Sequence, residues 1–332
     1  MLKMGKWVGF LMLATMLILA GCGSQSSNGD GTDTKTDRKT FTIGVTQIAE
    51  HPSLDAAVEG FKKALEDKGI DATYDLQIAQ GDPSLSTTIA QNFVSSGVDL
   101  IFANATPSAQ TALAATKDIP IVFTSVTDPV GSELVPSLEE PGGNITGTMD
   151  LHPEAIPNTL KFIKDELGAS NVGLVYNSGE TNSVSQVNSI KELLSELGLE
   201  AVEATVSNSS EVKQAAESLV GKIDAFYIIT DNTVVSALES VVSVANERDI
   251  PMLAGEFDSV ERGAFGAYGF DYYDIGYEAG LMAVDILNNG KSPADIPVQV
   301  PQNLKLVLNK KAAEEQGVEL KSEWDDIAEY LE

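Results

Sequence analysis

The chain of 332 residues carries 49 acidic against 21 basic side chains, a net charge of −28, which argues against nucleic acid as a partner. A hydrophobic content of 43% over this length supports two cores, because single cores stop growing at roughly 250–300 residues. One cysteine and two histidines exclude an internal disulfide and a Cys/His metal site.

At the N-terminus, Lys3 and Lys6 precede an apolar run from Trp7 to Leu19 and the tetrad Leu19-Ala20-Gly21-Cys22. The run falls short of the roughly 20 residues that a spanning helix needs, and the tetrad resembles a bacterial lipobox, so residues 1–21 are expected to be a lipoprotein signal peptide. Cys22 then becomes the lipidated N-terminus, anchored to the cell membrane on its extracytoplasmic face by two or more acyl chains. Loss of the leader brings the net charge to about −30, acidity that reads as a solvated surface. Residues 23–40 contain no aliphatic or aromatic side chain and, with Cys22, form a flexible tether reaching about 20–25 Å.

From Phe41 short β-rich runs alternate with helical patterns: "FTIGVTQ", helix 54–68, "ATYDLQIAQ", helix 85–96, "VDLIFANA", helix 108–117 and "IPIVFTSV". A second series follows helix 155–167: "NVGLVYN", helix 184–197, "EAVEATV", helix 211–219, "IDAFYIIT", helix 234–247 and "IPMLAGE". This βαβ alternation predicts parallel sheets, and the match between the series is an internal repeat of roughly 130 residues, hence two similar lobes. The segment "AFGAYGFD", helix 272–289 and strand "IPVQV" have no counterpart in the first series. They are expected to lead the chain back to lobe 1, after which "LKLVLN" and C-terminal helices complete lobe 2. The expected fold is α/β, two parallel-sheet lobes joined by a three-strand hinge near 142–149, 264–271 and 298–304. Lobe 1 spans 41–148 plus 270–298, lobe 2 spans 149–269 plus 299–332, and Gly142, Gly143, Gly147, Gly266 and Gly269 supply dihedral freedom at the crossings.

Ligands of open parallel sheets bind beyond the carboxyl ends of the strands, where helix N-termini also point. In lobe 1 those ends carry Gln47, Glu50 and His51, then Thr106 and Ser108, then Ser125, Thr127 and Asp128; in lobe 2 they carry Asn177 and Asn182, then Asp231 and Asn232, then Glu256 and Asp258. Asp231, Asn232 and Thr233 are also favoured helix N-caps. Hydroxyls on one rim suit an anion and carboxylates on the other a cation, so the cleft suits a zwitterion such as an α-amino acid. Arg38, Arg248 and Arg262 are the only arginines and sit away from strand ends, which disfavours phosphate and dicarboxylate ligands. Tyr176, Phe257 and Tyr268 are candidates to flank a ligand side chain, and each also suits a core.

Catalysis has little to work with: neither histidine belongs to a nucleophile motif, and no catalytic residue, metal or cofactor is expected. His152, beside Pro153, reads as a cap or surface residue. "NNGKS" (288–292) follows a helix where a phosphate loop would precede one, and "GYEAG" (276–280) suits close helix packing better than membrane dimerisation.

The motifs "EHPSLD", "AQGD", "ATPSAQ", "PIVFTSVTDPVG", "PGGNITGT", "YNSGETNSVSQV", "TDNTV", "AGE" and "YGFDYYDIGY" together resemble the ABC-transporter substrate-binding lipoproteins that include the tryptophan-binding type, over residues 41–316. The resemblance implies a type I periplasmic-binding fold, a non-enzymatic receptor, an ABC permease as partner and an aromatic amino acid such as tryptophan as ligand. It carries Thr106, Ser125, Thr127, Asn177, Asp231, Asn232 and Glu256 as site positions, beside Gln47, Glu50 and Asn182 from the strand ends. A sugar or nucleoside ligand, and a sensing module without import, are the alternatives.

Overall fold

The computed structural model describes residues 39–331; the leader, Cys22 and the tether as far as residue 38 lie outside them. Lobe 1 is built on a parallel sheet of β1 (Phe41–Gln47), β2 (Ala72–Ile78), β3 (Leu100–Asn104), β4 (Ile121–Val126) and β5 (Ile145–Met149), in the order β2-β1-β3-β4-β5. β3 and β4 are buried along their whole length, which is why they read as unbroken apolar runs: helices cover both faces. Those helices are α1 (Pro52–Asp67), α2 (Pro83–Ser96) and α3 (Thr106–Ala115). Two hydrophobic clusters, one on each face, form this core, and the stacked rings of Phe61 and Phe102, 3.9 Å apart, tie α1 to β3.

Lobe 2 repeats the arrangement. β6 (Asn171–Asn177), β7 (Glu200–Val206), β8 (Ala225–Ile228), β9 (Met252–Ala254) and β10 (Gly266–Gly269) lie in the order β7-β6-β8-β9-β10, strand for strand the order of lobe 1. Beyond β10 the sheet is extended by β11 (Lys305–Asn309) and β12 (Ala328–Leu331). β11 enters from the crossing at 298–304 and so runs antiparallel to β10, while β12 is parallel to β11.

Three expectations are corrected here. The strand within "AFGAYGFD" has a counterpart after all: β10 pairs with β9 as β5 pairs with β4, so it closes lobe 2 before the chain crosses back. "IPVQV" forms no strand, only a single bridge between Thr148 and Gln299 beside β5. The C-terminal segment has one short helix, α11 (Lys310–Glu315), and then returns to the sheet as β12. Gly147 and Gly266 also lie inside the sheets, where a Cβ would collide with Phe123 and with Leu308; they are demanded by close approach more than by hinge freedom.

In lobe 2, α6 (Val212–Leu219) and α8 (Leu238–Glu247) pack on each other over the sheet, and two further helices cross between lobes in a reciprocal way. After β5, α4 (Ala155–Asp165) packs on β10 and on α5 (Thr181–Leu197) of lobe 2; after β10, α10 (Tyr272–Asn289) packs on β4, β5 and α1 of lobe 1. The contact between α1 and α10 is extensive because "GYEAG" removes side chains from it: a Cβ on Gly276 would strike the backbone of Ala57, and one on Gly280 the backbone of Phe61. Gly276→Ala is accordingly expected to cost about 1–3 kcal/mol by overpacking and to lower Tm by roughly 2–10 °C, against little change for the exposed Glu278→Ala on the same helix. A thermal melt in which the two variants coincide would show that the helices part without cost.

Candidate functional site

The carboxyl ends of both sheets face each other across one cleft, and where they meet they enclose a cavity of about 10 Å³. Lobe 1 contributes His51, at the N-cap of α1, and Leu54 in its first turn. Lobe 2 contributes Thr230 and Asp231 after β8, Asn232 and Val235 of α7 (Asn232–Val235), and Glu256 after β9. The crossings add Asp150, directly after β5, and Tyr272, the first residue of α10.

Three buried carboxylates therefore share one small space: Asp150, Asp231 and Glu256, exposed by 5%, 0% and 2%. Asp150 accepts hydrogen bonds from the Thr127 hydroxyl and the Tyr272 phenol, both at 2.8 Å. Asp231 accepts from the Asn177 N–H at 2.7 Å and the Ser183 hydroxyl at 2.6 Å on one oxygen, and from the Val234 N–H at 2.8 Å on the other. That last bond makes it the N-cap of α7. Glu256 caps α9 (Phe257–Glu261) through the N–H and hydroxyl of Ser259. All of these donors are neutral. Burial consequently raises the three acids, Asp150 to about 6 and Asp231 to about 7, the latter helped by the neighbouring Glu180; Asp258 adds to the rise at Glu256. Capping leaves acceptor capacity over, since Asp231 uses three of the roughly four positions a carboxylate offers.

Lobe 1 presents the opposite chemistry. Thr106, Ser108 and Ser125 are buried, and their hydroxyls have no hydrogen-bond partner. The backbone beside them is held in the left-handed region, with φ of 81° at Ala105 and 55° at Ser125, and a bulge in the β4–β5 ladder spans Ser125. Non-glycine residues occupy this region at a cost, and such outliers cluster at ligand clamps. The lobes are also bonded directly: the Ser185 hydroxyl on α5 donates to Asp128 at 2.8 Å, and Gln186 spans Thr127 at 3.4 Å and Thr230 at 2.7 Å.

Among the sequence-predicted positions, Asp231, Asn232 and Glu256 line the cavity. Thr106, Ser125 and Thr127 are buried at the adjoining strand ends. Asn177 and Asn182 stand behind it, Asn177 fastening α7 by a 2.9 Å bond to Thr233. Gln47 spends its amide on Ala49, Asp55 and Asn104 within lobe 1, and Glu50 is exposed. Tyr176, Phe257 and Tyr268 pack against the lobe 2 cores; the ring on the cavity wall belongs to Tyr272. Arg262 is mostly buried, donating to Val235 and to Glu239. His152 accepts the Glu154 N–H at 3.1 Å in the turn before α4.

Sequence reasoning missed Asp150, Tyr272 and Glu180. The first two follow crossing segments, which the strand-end rule would have covered had β5 and β10 been treated as sheet strands. Glu180 precedes α5 without capping it and ties down α7 by accepting from Asn232 at 2.6 Å and from the Thr233 hydroxyl at 2.8 Å; α5 begins three residues before the apolar periodicity does, which concealed the residue. Among the described residues no cluster of His, Cys, Asp and Glu suits a metal ion, and no helix is long and apolar enough to cross a membrane.

Two lobes of parallel sheet, joined by crossing strands and closing on a polar cavity, define the type I periplasmic-binding class. The chain belongs to the ABC transporter substrate binding protein family, whose profile matches residues 42–329. It is 45% identical to a tyrosine-binding protein of Clostridioides difficile over 93% of this chain and 92% of that one. A Streptococcus pneumonia domain solved with L-Trp superposes with a TM-score of 0.83 at 33% identity, covering 88% and 99% of the two chains. The ligand-free, open structure of a substrate-binding protein with adhesive properties from Clostridium difficile scores 0.65 at 42% identity, over 88% and 99%. Of these two structures, the one more similar in sequence, which is the ligand-free and open one, gives the poorer superposition.

Because Asp150 and Asp231 bind protons more tightly in the folded chain than at their ordinary value of 3.8, the folded state takes up protons that the unfolded chain releases between about pH 4 and 7. Stability of the ligand-free protein should therefore fall as pH rises through this window, the two acids outweighing the opposite contribution of buried His51, held down to about 3. Tm is expected to be about 5 °C or more higher at pH 5 than at pH 7.5, with a flatter profile in Asp150→Asn; a wild-type profile that rises over the same range would contradict the assignment.

Proposed function

We propose that this protein is the lipid-anchored extracytoplasmic receptor of an ABC importer, closing its lobes on an aromatic L-amino acid and presenting it to a permease. The observation that carries this reading is the shared burial of Asp150, Asp231 and Glu256 against neutral donors only. Such a site is short of one positive charge, and an α-ammonium supplies it at lower desolvation cost than a side-chain cation drawn from the protein's own surface. The unpartnered hydroxyls of Thr106 and Ser125, with the N-terminal N–H groups of α3, suit the α-carboxylate. The cavity of about 10 Å³ holds no more than one water, so entry requires the lobes to part, and the ligand takes over contacts that the lobes now make with each other. Names of relatives that bind tyrosine or L-Trp favour an aromatic side chain.

Calorimetry against the twenty amino acids tests the ligand class: an aromatic member should bind, and absence of binding by all twenty would defeat the proposal. Asp231→Asn separates the two duties of that residue. Asparagine keeps the cap to Val234 but turns a donor toward the Asn177 N–H, so Tm should fall modestly while affinity falls about 30-fold or more through loss of the ammonium's charged partner; Asp231→Ala should lose the cap as well. Equal affinity in wild type and Asp231→Asn would return the side chain to capping alone. Anchoring is tested by fractionation, where Cys22→Ser is expected to move the protein from membrane to medium or periplasm; membrane retention would count against the lipid.

A further inference from the structure

We propose that Asp150 is a proton-operated latch on lobe closure: in the ligand-free protein the lobes shut over it when its carboxyl carries a proton and stand apart when it is ionised. The proposal concerns the protein without ligand, so it holds or fails independently of which ligand the cleft takes.

Asp150 is fastened to lobe 1. Its backbone N–H donates to the Val126 carbonyl at 3.1 Å, and its carboxyl accepts from Thr127, just after β4, and from Tyr272 on the helix that packs against that lobe. Asp231 and Glu256 belong to lobe 2 and form the facing wall of the cavity with Thr230, Asn232 and Val235. Closure therefore changes two things around Asp150 together. It strips the carboxyl of water, in a space of about 10 Å³, and it brings up two acids from the other side. Both changes oppose a negative charge. None of the lining residues is a lysine or arginine, and the guanidinium of Arg262 is taken by the Val235 carbonyl and Glu239.

The partners of each acid decide which one takes the proton. Asp231 accepts a backbone N–H on each oxygen, and Glu256 accepts the Ser259 N–H. Such donors favour the ion and cannot accept a bond in return. The two side-chain partners of Asp150 are hydroxyls, which can: a protonated carboxyl there donates to Thr127 or Tyr272 after one O–H turns, with neither bond lost. Glu180 raises Asp231, but both lie in lobe 2 and stay together as the lobes move. Burial lifts Asp150 to about 6 against the pull of its hydrogen bonds, so its proton is gained and lost near neutrality.

The other titratable groups around this space are His51 on α1, Tyr272 on α10, Asp231 with Glu180 behind it, and Glu256 with Asp258 on α9. Tyr272 stays neutral, its phenol pushed well up by burial. His51 works in the opposite sense, because burial holds it down at about 3 and closing expels the proton that the ring carries in water below about pH 6.5. Asp231 and Glu256 rise with Asp150, so over the whole cavity closure takes up protons, and acid favours the shut form.

The test is pulsed EPR on the purified ligand-free protein, with spin labels at Thr88→Cys on α2 and Val184→Cys on α5. Both positions are exposed and lie on different lobes, beside a groove of about 320 Å³ lined by α2, α3 and the start of α5; the protein without these two cysteines controls for Cys22. The label distance should be shorter by roughly 5 Å at pH 5.5 than at pH 8, with a midpoint between about pH 6 and 7. Circular dichroism at each pH checks that the chain stays folded. Asp150→Asn, whose amide stands in for the protonated acid, should give the short distance already at pH 8 and lose most of the pH response. Tyr272→Phe removes one donor to the ionised carboxyl and should move the midpoint to higher pH; it carries the test where Asp150→Asn does not fold. A wild-type distance that is constant or lengthens toward acid overturns the proposal. So does a wild-type-like titration in Asp150→Asn, which would put the proton on the acids of lobe 2, or an unmoved midpoint in Tyr272→Phe.

Discussion

Buried negative charge without a buried positive partner is the constraint around which this molecule is arranged. Asp150, Asp231 and Glu256 come from three different strand ends and converge where the lobes touch. Backbone N–H groups at the starts of α7 and α9, with hydroxyls of Thr127, Ser183, Ser259 and Tyr272, keep them soluble in the interior. Partial charges at helix starts stabilise a carboxylate but do not neutralise it, so the raised proton affinity of all three acids is the residue of an incomplete compensation. The same caps that make the helices possible leave the cavity short of positive charge.

The geometry that brings the acids together comes from duplication with exchange. Each lobe carries the same five-strand order, and each sends the helix after its fifth strand across to its partner: α4 packs in lobe 2 and α10 in lobe 1. The carboxyl ends of both sheets thereby face one gap, and the first residues beyond β5 and β10 fall at the centre of it. Asp150 and Tyr272 meet there across 122 positions of sequence. At the rim the lobes are also joined by side-chain bonds from α5 to the loop after β4.

Alternating apolar runs and the matching of two series made the parallel sheets, their repetition and the strand ends legible from the letters, because burial on both faces of a strand and one face of a helix writes local periodicity. The polar residues at those ends were legible for the same reason, as interruptions of that periodicity: Asp231, Asn232 and Glu256 stand on the cavity wall. Where β10 belonged was not legible. "AFGAYGFD" is a good strand in any sheet, and its partner was decided by β9 and β11, both remote from any local signal.

What the sequence determined by itself is thus a pattern: two sheets of one kind, with polar punctuation at their carboxyl ends. Which of those end residues face one another was decided only by the tertiary structure. Glu50 points to solvent while its neighbour His51 turns inward with both nitrogens unbonded, and Tyr272 reaches the site while Tyr268 packs in a core. Periodicity reports a side chain's burial relative to its own strand or helix, whereas the partners of a buried polar atom depend on where distant elements are carried by the crossings, and no local pattern encodes that.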